Sequence, residues 1–117
     1  MKRIIIILLA VLLSSCKVDT DKIIDSNENI EVSIHENGLP VQTYTLNPGD
    51  EEYKKFMSWV KSNNTGWDST LASYVPMLIV SGESFSFNFM GNGVVVNYEG
   101  GQFTKSVDPK EYKYLKR

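Results

Sequence analysis

The chain is poor in the residues that most enzymes and metal proteins use at their sites. Among 117 residues there is one cysteine, Cys16, and one histidine, His35. A single cysteine has no partner for an internal disulfide and no second thiolate for a metal site. The longest apolar run, residues 4–13, has about half of the ~20 residues that a helix needs to cross a bilayer. Core packing must therefore stabilise the fold.

Positive charge is scarce as well. The chain has 12 Lys and Arg against 14 Asp and Glu, for a formal net charge of −2. Residues 1–15 hold Lys2 and Arg3, so the remainder has 12 − 2 = 10 basic against 14 acidic residues, a net charge of −4. No basic patch is visible in the sequence. This argues against nucleic acid as a partner and against electrostatic adhesion to anionic lipids.

The strongest motif lies in the first sixteen residues. Lys2 and Arg3 precede the apolar residues 4–13, and the tetrapeptide Leu13-Ser14-Ser15-Cys16 ends the segment. A basic start, an apolar stretch and small residues before a cleavage site are typical of a secretory signal peptide. A buried strand would explain the isoleucines, but neither the basic start nor the cysteine after two serines.

This segment resembles the signal peptide of bacterial lipoproteins, in which the cysteine of the lipobox carries the lipid. The resemblance implies that residues 1–15 are removed and that Cys16 receives a diacylglyceryl group, usually with a third acyl chain. Two or more acyl chains anchor a protein stably, whereas one gives marginal binding. Lys17 stands where the inner-membrane retention signal of some Gram-negative bacteria has Asp, which favours the outer membrane. Asp19 and Asp21 are similar to surface-export tags of other bacteria, so a periplasmic or surface-facing orientation stays open.

Behind this motif the sequence predicts a tether and one domain. Residues 17–29 are polar, with one Ile23-Ile24 pair and no sustained period, so 16–29 is predicted to be a lipidated, flexible tether. Residues 30–117 have the length and pattern of a single α+β domain.

The domain is predicted to begin with a β-hairpin. Residues 30–34 alternate between apolar and polar, residues 41–46 favour a strand, and Asn37-Gly38 suits a tight turn. The register stays open at this point. A two-residue loop pairs Ile34 with Val41, and a longer loop through Pro40 pairs Val32 with Tyr44.

An amphipathic helix is predicted over residues 50–62. Asn47 and Asp50 are candidate caps, and acidic residues follow in the first turn, where the helix dipole favours them. Apolar residues recur at i, i+3, i+4 and i+7 to form one stripe. They are Tyr53, Phe56, Met57 and Val60.

A four-stranded antiparallel meander is predicted in the last third of the chain. Two-residue turns at 82–83, 92–93 and 100–101 oppose Val80 with Phe85, and likewise pair the later strands. Each register places apolar side chains on the same face. That face has Leu78, Val80, Phe85, Phe87, Phe89, Val94, Val96, Tyr98, Phe103 and Val107. The other face is polar except for Met77, Ile79, Met90 and Val95, which either lie under the hairpin or meet a partner.

A short helix over residues 109–115, begun by Asp108-Pro109, completes the predicted fold and docks through Tyr112 and Leu115. The expected architecture is a hairpin, one amphipathic helix packed on the aromatic face of the meander, and this C-terminal helix.

Catalytic and metal-binding candidates are weak. His35 has no nucleophile motif around it, and a strand histidine is usually packed or solvated. The acidic residues 50–52 are explained by the helix start rather than by a glycosidase pair. A calcium-loop pattern runs from Asp25 to Glu36, but Ile30 stands where that loop needs glycine. We therefore expect no enzyme activity, metal or cofactor.

The candidate binding residues are Trp59, Trp67, Asp68 and Tyr74. Trp59 lies off the apolar stripe of the helix, and the other three lie in the 66–74 loop, where backbone is usually exposed. Aromatic side chains are enriched at binding hot spots. Core packing is the competing interpretation, because large aromatic residues in a small domain usually complete the core.

Residues 44–115 also resemble a group of small bacterial proteins, many of them lipoproteins, some of which occur beside secreted antibacterial toxins. The matching segments are Trp59, Asn64-x-Gly66-Trp67, Ser73-Tyr74-Val75-Pro76, Phe87-Asn88-Phe89 and Val96-Asn97-Tyr98. The resemblance implies a non-enzymatic protector that sequesters a toxin. The first hypothesis is therefore a lipid-anchored immunity or inhibitor protein that binds through the 66–76 loop or the polar sheet face. An envelope structural or assembly lipoprotein is the second, and a hydrolase the third.

Overall fold

The structure is a computed structural model that describes residues 18–117, so the predicted signal peptide and Cys16 lie outside the described residues. Within that range the fold is α+β, as predicted, with one seven-stranded antiparallel sheet of order β2-β1-β4-β5-β6-β7-β3. The helices are α1 Thr20–Ile24 and α2 Glu51–Ser62, followed at the C-terminus by 3₁₀ turns Pro109–Glu111 and Lys113–Leu115. The strands are β1 Ile30–Glu36, β2 Leu39–Leu46, β3 Asp68–Ser69, β4 Leu78–Ser81, β5 Ser86–Met90, β6 Gly93–Tyr98 and β7 Gly101–Ser106.

The sheet is larger than predicted. The meander is present as β4 to β7, but β1 pairs with β4 and β3 pairs with β7. The hairpin therefore extends the sheet edge to edge instead of covering its polar face. Of the two explanations for the apolar patch on that face, burial under the hairpin is wrong.

The hairpin combines the two loops that the sequence allowed. Asn37 and Gly38 have φ of 53° and 79°, the left-handed conformation that a type I′ turn requires at both central residues. A bulge then shifts the register between Ile34 and His35 and leaves Val41 without a partner. Below the bulge Val32 lies opposite Tyr44, which is the second of the two predicted pairings.

The turns of the meander lie elsewhere than predicted. A four-residue loop joins β4 to β5, so Val80 opposes Phe87 rather than Phe85, and the next two registers are also displaced by two residues. Gly91, with φ of 54°, supplies the left-handed residue of the β5–β6 turn in place of Asn92-Gly93. Because side chains alternate, a two-residue shift keeps every side chain on its face. The predicted apolar face is accordingly packed against the core, with Tyr98 and Phe103 partly exposed at its margin.

Helix α2 lies across this face, and its predicted stripe is confirmed. Tyr53, Phe56, Met57 and Val60 are all buried. The Phe56 ring meets Phe87 edge to face at 5.4 Å between ring centroids, a favoured geometry for aromatic pairs.

The predicted flexible tether is wrong for residues 18–24. Val18 and Ile23 are 1% and 2% exposed, and α1 packs on α2. The Val18 N–H donates to Asn64 O (3.1 Å), and the Tyr53 hydroxyl donates to Glu28 O (2.9 Å). The Ile23-Ile24 pair was the signal for this docking, because burial of one aliphatic side chain contributes about 1.5–3 kcal/mol.

Residues 70–77 cross the polar face of the sheet, since β3 lies at one edge and β4 lies between β1 and β5. Gln102 Nε2 donates to Thr70 O (3.2 Å), and Asn97 Nδ2 donates to the Tyr74 hydroxyl (2.6 Å). Two other residues of this face, Asn88 and Val95, are buried.

The C-terminal helix forms as two 3₁₀ turns rather than as the single helix predicted. Asp108 begins it with a capping box, in which its carboxylate accepts from Lys110 N–H (3.0 Å) and its N–H donates to Glu111 (2.9 Å). Tyr112 and Leu115 are buried, so the predicted docking residues are confirmed.

Candidate functional site

The two tryptophans lie on the helix face of the sheet and both pack on Phe87. Trp67 is 1% exposed, so its ring belongs to the core. Trp59 is half-buried, and its indole N–H donates to the Glu111 carboxylate at 3.0 Å. Both placements follow the packing interpretation.

The other two candidates lie elsewhere. Tyr74 is half-buried on the polar face, where its hydroxyl accepts from Asn97. Asp68 is exposed in β3, opposite Thr104 at the far edge of the sheet. The four predicted binding residues are therefore distributed over both faces and one edge, and the fold does not bring them together.

Several exposed or half-buried apolar side chains lie toward the β1–β2 side of the polar face. Met77, the residue directly before β4, lies between His35 of β1 and Phe89 of β5. Two backbone hydrogen bonds hold it there, from His35 N–H to Met77 O (2.9 Å) and from Met77 N–H to Phe89 O (2.8 Å). Val41 at the bulge, Val75 and Met77 are 55%, 68% and 44% exposed. We name this surface the hairpin patch: His35, Val41, Val75, Met77 and Met90.

Strand β2 borders the hairpin patch as an open edge of the sheet. Within residues 18–117 its one strand neighbour is β1, and six of its eight residues are exposed. None of the eight is charged, although natural edge strands often carry Lys against unwanted pairing. Pro40 and the bulge protect the end of the strand near the turn, because proline has no N–H to offer.

Backbone groups of β2 remain free at this edge. His35 turns its N–H away from β2 toward β4, and in an antiparallel ladder every second residue does the same. Ser33 and Glu31, two and four residues before His35, therefore also turn their N–H groups toward β4. They lie opposite Thr43 and Thr45 of β2. The N–H and C=O groups of Thr43 and Thr45 therefore point away from β1, into the open edge.

A polar cluster braces β2 from the helix side. The Tyr44 hydroxyl donates to Leu115 O, and the Arg117 guanidinium lies 3.9 Å from the centre of the Tyr44 ring. Arg117 also pairs with Glu52 at 2.9 Å, which raises the pKa of Arg117. Burial, followed by the Glu52 carboxylate, raises the pKa of Tyr44 and of Tyr114, so both phenols stay neutral. The cluster fixes the inner side of β2 and leaves its outer edge accessible.

Within residues 18–117 the histidine of the hairpin patch has a single side-chain hydrogen-bond partner. His35 Nε2 and Ser33 Oγ lie 2.9 Å apart, and Ser33 Oγ lies 3.5 Å from Thr43 Oγ1. A hydrolase would need a further group to orient the ring and donors for an oxyanion. The contact with Ser33 Oγ orients the His35 ring.

The calcium-loop pattern does not form a loop. Asp25 follows α1 and Glu36 ends β1, so the seven-residue strand separates the two carboxylates. Among residues 18–117 no three His, Cys, Asp or Glu side chains gather at metal-binding distance. None of the helices in this part of the chain is long and apolar enough to cross a membrane.

Comparison with protein-family models, with curated proteins and with solved structures found no match for this chain. The case for function therefore depends on the chain's own residues. Sequence analysis identified Met77 and Met90 as an apolar patch but missed Val41, Val75 and the open edge. The absence of charged residues from 39–46 was the sequence signal that could have indicated the open edge.

Proposed function

We propose that this protein is a lipid-anchored extracytoplasmic binding protein, without enzyme activity, that inhibits or confers immunity to a secreted protein toxin or enzyme. The lipobox resemblance at residues 13–16 supports the anchor at Cys16, and Lys17 favours the outer membrane. The observation that carries the binding role is the open, uncharged β2 edge beside the hairpin patch.

An extended polypeptide segment is the partner that fits this edge. Outward N–H and C=O groups at alternate residues are satisfied by another strand, which adds to the sheet through main-chain hydrogen bonds. The hairpin patch supplies apolar contact next to that strand. Strand β2 has eight residues and is about 27 Å long, enough to pair with an added strand of ordinary length.

The charge of the β1–β2 hairpin indicates which residues the partner's segment should carry. Residues 30–46 contain Glu31 and Glu36 and no Lys or Arg, and both carboxylates are exposed. An added strand with basic residues at its ends would meet complementary charge, which speeds encounter and fixes register. The partner is therefore a secreted protein with an exposed, basic-flanked strand or loop.

A matched pair of proline variants tests the docking edge. Thr43→Pro removes an outward N–H from β2. Ser69→Pro removes an outward N–H from β3 at the opposite edge. The Ser69 N–H points outward because that of the next residue, Thr70, points inward and donates to Gln102 O (3.1 Å). Loss of one main-chain hydrogen bond with steric mismatch is expected to weaken partner binding on the order of 10-fold for Thr43→Pro. Ser69→Pro should bind as wild type does. The measurement is titration of the purified complex after chemical cross-linking has identified the partner, and equal affinities for the two variants would contradict docking at β2.

A deletion strain tests the protective role. Cells without the gene should keep an intact envelope barrier but become sensitive to toxins secreted by neighbouring cells. Barrier weakness in the absence of any toxin would instead favour an envelope assembly role.

A further inference from the structure

We propose that the surface around Val18 lies directly against the lipid head groups, so that the domain is held on the membrane in one orientation. This inference rests on the proposed lipid anchor at Cys16. The surface in question is the side of the domain that faces the membrane, and its binding partner is the bilayer.

The first described residues are fixed to the body of the domain. Val18 is buried and its N–H donates to Asn64 O (3.1 Å), directly after α2. The Asp19 N–H donates to the Tyr98 hydroxyl (3.1 Å), and Ile23 is buried against the core. Two buried aliphatic side chains contribute about 3–6 kcal/mol, which keeps this segment docked.

The chain between the lipid and this docked segment is too short to act as a tether. Cys16 and Val18 are two residues apart, so their Cα atoms are separated by at most about 7 Å. A flexible tether of residues 17–29 would instead have a typical reach of about 20 Å. The polar head-group layer of one leaflet is itself about 5–7 Å thick. Val18 is therefore held at the outer boundary of the head groups.

The surface that surrounds Val18 must then face the bilayer. One recess of about 480 Å³ is lined by residues of α1 and of the end of α2. It combines acidic and basic side chains, with Asp19 and Asp21 beside Lys61. With two carboxylates to one ammonium group, these side chains give no attraction to anionic lipid, so the covalent anchor and not surface charge sets the orientation. The lining residues are Val18, Asp19, Thr20, Asp21, Lys61 and Asn64.

This orientation directs the β2 edge away from the membrane. Lys105 Nζ donates to Thr65 O (2.7 Å), which places the end of α2 beside β7. Five strand spacings separate β7 from β2, about 24 Å across the sheet. A partner arriving from outside the membrane would reach β2 first.

Site-specific labels test the orientation on the lipidated, full-length product. Lipidation consumes the thiol of Cys16, so Lys61→Cys and Glu36→Cys each introduce one free thiol, at exposed positions lining the recess and next to the hairpin turn. The labelled protein is reconstituted into phosphatidylethanolamine and phosphatidylglycerol vesicles with a head-group nitroxide lipid. The dye at position 61 should be quenched several-fold more than the dye at position 36, with little change at high salt.

A tether insertion provides the control. A Gly-Ser segment of about twelve residues between Lys17 and Val18 would allow a stand-off of about 19 Å. It should reduce quenching at position 61 to the level at position 36. Equal quenching at both positions without the insertion would overturn the orientation while leaving the anchor in place. A free thiol at Cys16 by intact-mass spectrometry, with no partition into vesicles, would overturn the anchor and the orientation together.

Discussion

At the residue scale, Glu111 explains why Trp59 is a structural residue. One carboxylate oxygen accepts from the Asp108 N–H (2.9 Å) and the other from the Trp59 indole (3.0 Å). The same side chain thus caps the C-terminal turns and fastens them to α2. A tryptophan outside the apolar stripe can serve the core in this way, because its polar N–H finds a partner at the margin while its ring packs inward.

Four buried or half-buried tyrosines predict loss of stability at high pH. The pKa values of Tyr44, Tyr53, Tyr112 and Tyr114 are raised from the ordinary value of 10.0, in each case first by burial. The folded state therefore holds these protons more tightly than the unfolded chain. Their stabilising effect is complete below the unfolded pKa and is lost as the pH rises through the folded pKa values.

Urea unfolding between about pH 9 and pH 11 measures this effect. The free energy of unfolding of the wild type should fall over this range, and it should fall less steeply for Tyr114→Phe, which removes one titrating phenol but keeps the ring under Lys55. Parallel curves for the two proteins would show that Tyr114 has no part in the alkaline transition.

At the element scale, strand registers proved harder to predict than strand faces. Turn position decides the register, and the glycines and asparagines of residues 91–93 and 99–101 permit several turn positions that differ by one residue. Moving a turn by one residue changes the pairing by two, which preserves the face. The apolar face of β4 to β7 was therefore predictable, whereas the pairing of Val80 with Phe87 was not.

Hydrogen exchange should reveal the open edge of β2. The amides of Thr43 and Thr45 point away from β1, whereas the amide of Tyr44, which opposes Val32 in β1, points toward it. We expect Thr43 and Thr45 to exchange at least about 10-fold faster than Tyr44 in NMR spectra of the free protein. Val80, in a strand with neighbours on both sides, is the protected control. Equal protection at all three β2 positions would mean that the edge is covered.

At the scale of the whole molecule, the segment before β1 is part of the core. Its side chains Val18 and Ile23 belong to the same buried cluster as α2 and the aromatic face of the sheet. Elements that share one core are expected to unfold in one cooperative transition.

Two neighbouring alanine variants test whether the segment before β1 unfolds together with the rest of the domain. Ile23→Ala should lower the free energy of unfolding by about 2–5 kcal/mol, because it leaves a cavity in the shared core. Ile24→Ala is the matched control, since Ile24 is only partly buried and its loss should be smaller. Tryptophan fluorescence and far-UV circular dichroism should give coincident transitions for both variants. An Ile23→Ala protein as stable as wild type would contradict the packing of this segment in the core and would favour a free tether.

The sequence by itself determined the α+β class, the helix over residues 50–62, the position of the hairpin and the apolar face of the sheet, because these depend on local periodicity and turn chemistry. Tertiary structure decided that β1 joins β4, that residues 70–77 cross the polar face, and that residues 18–24 pack on the core. Those outcomes depend on contacts between segments far apart in the chain, and local patterns do not specify which distant edge or face each segment meets. The open β2 edge is of this second kind, since a strand becomes an edge only when all the other strands have found their neighbours.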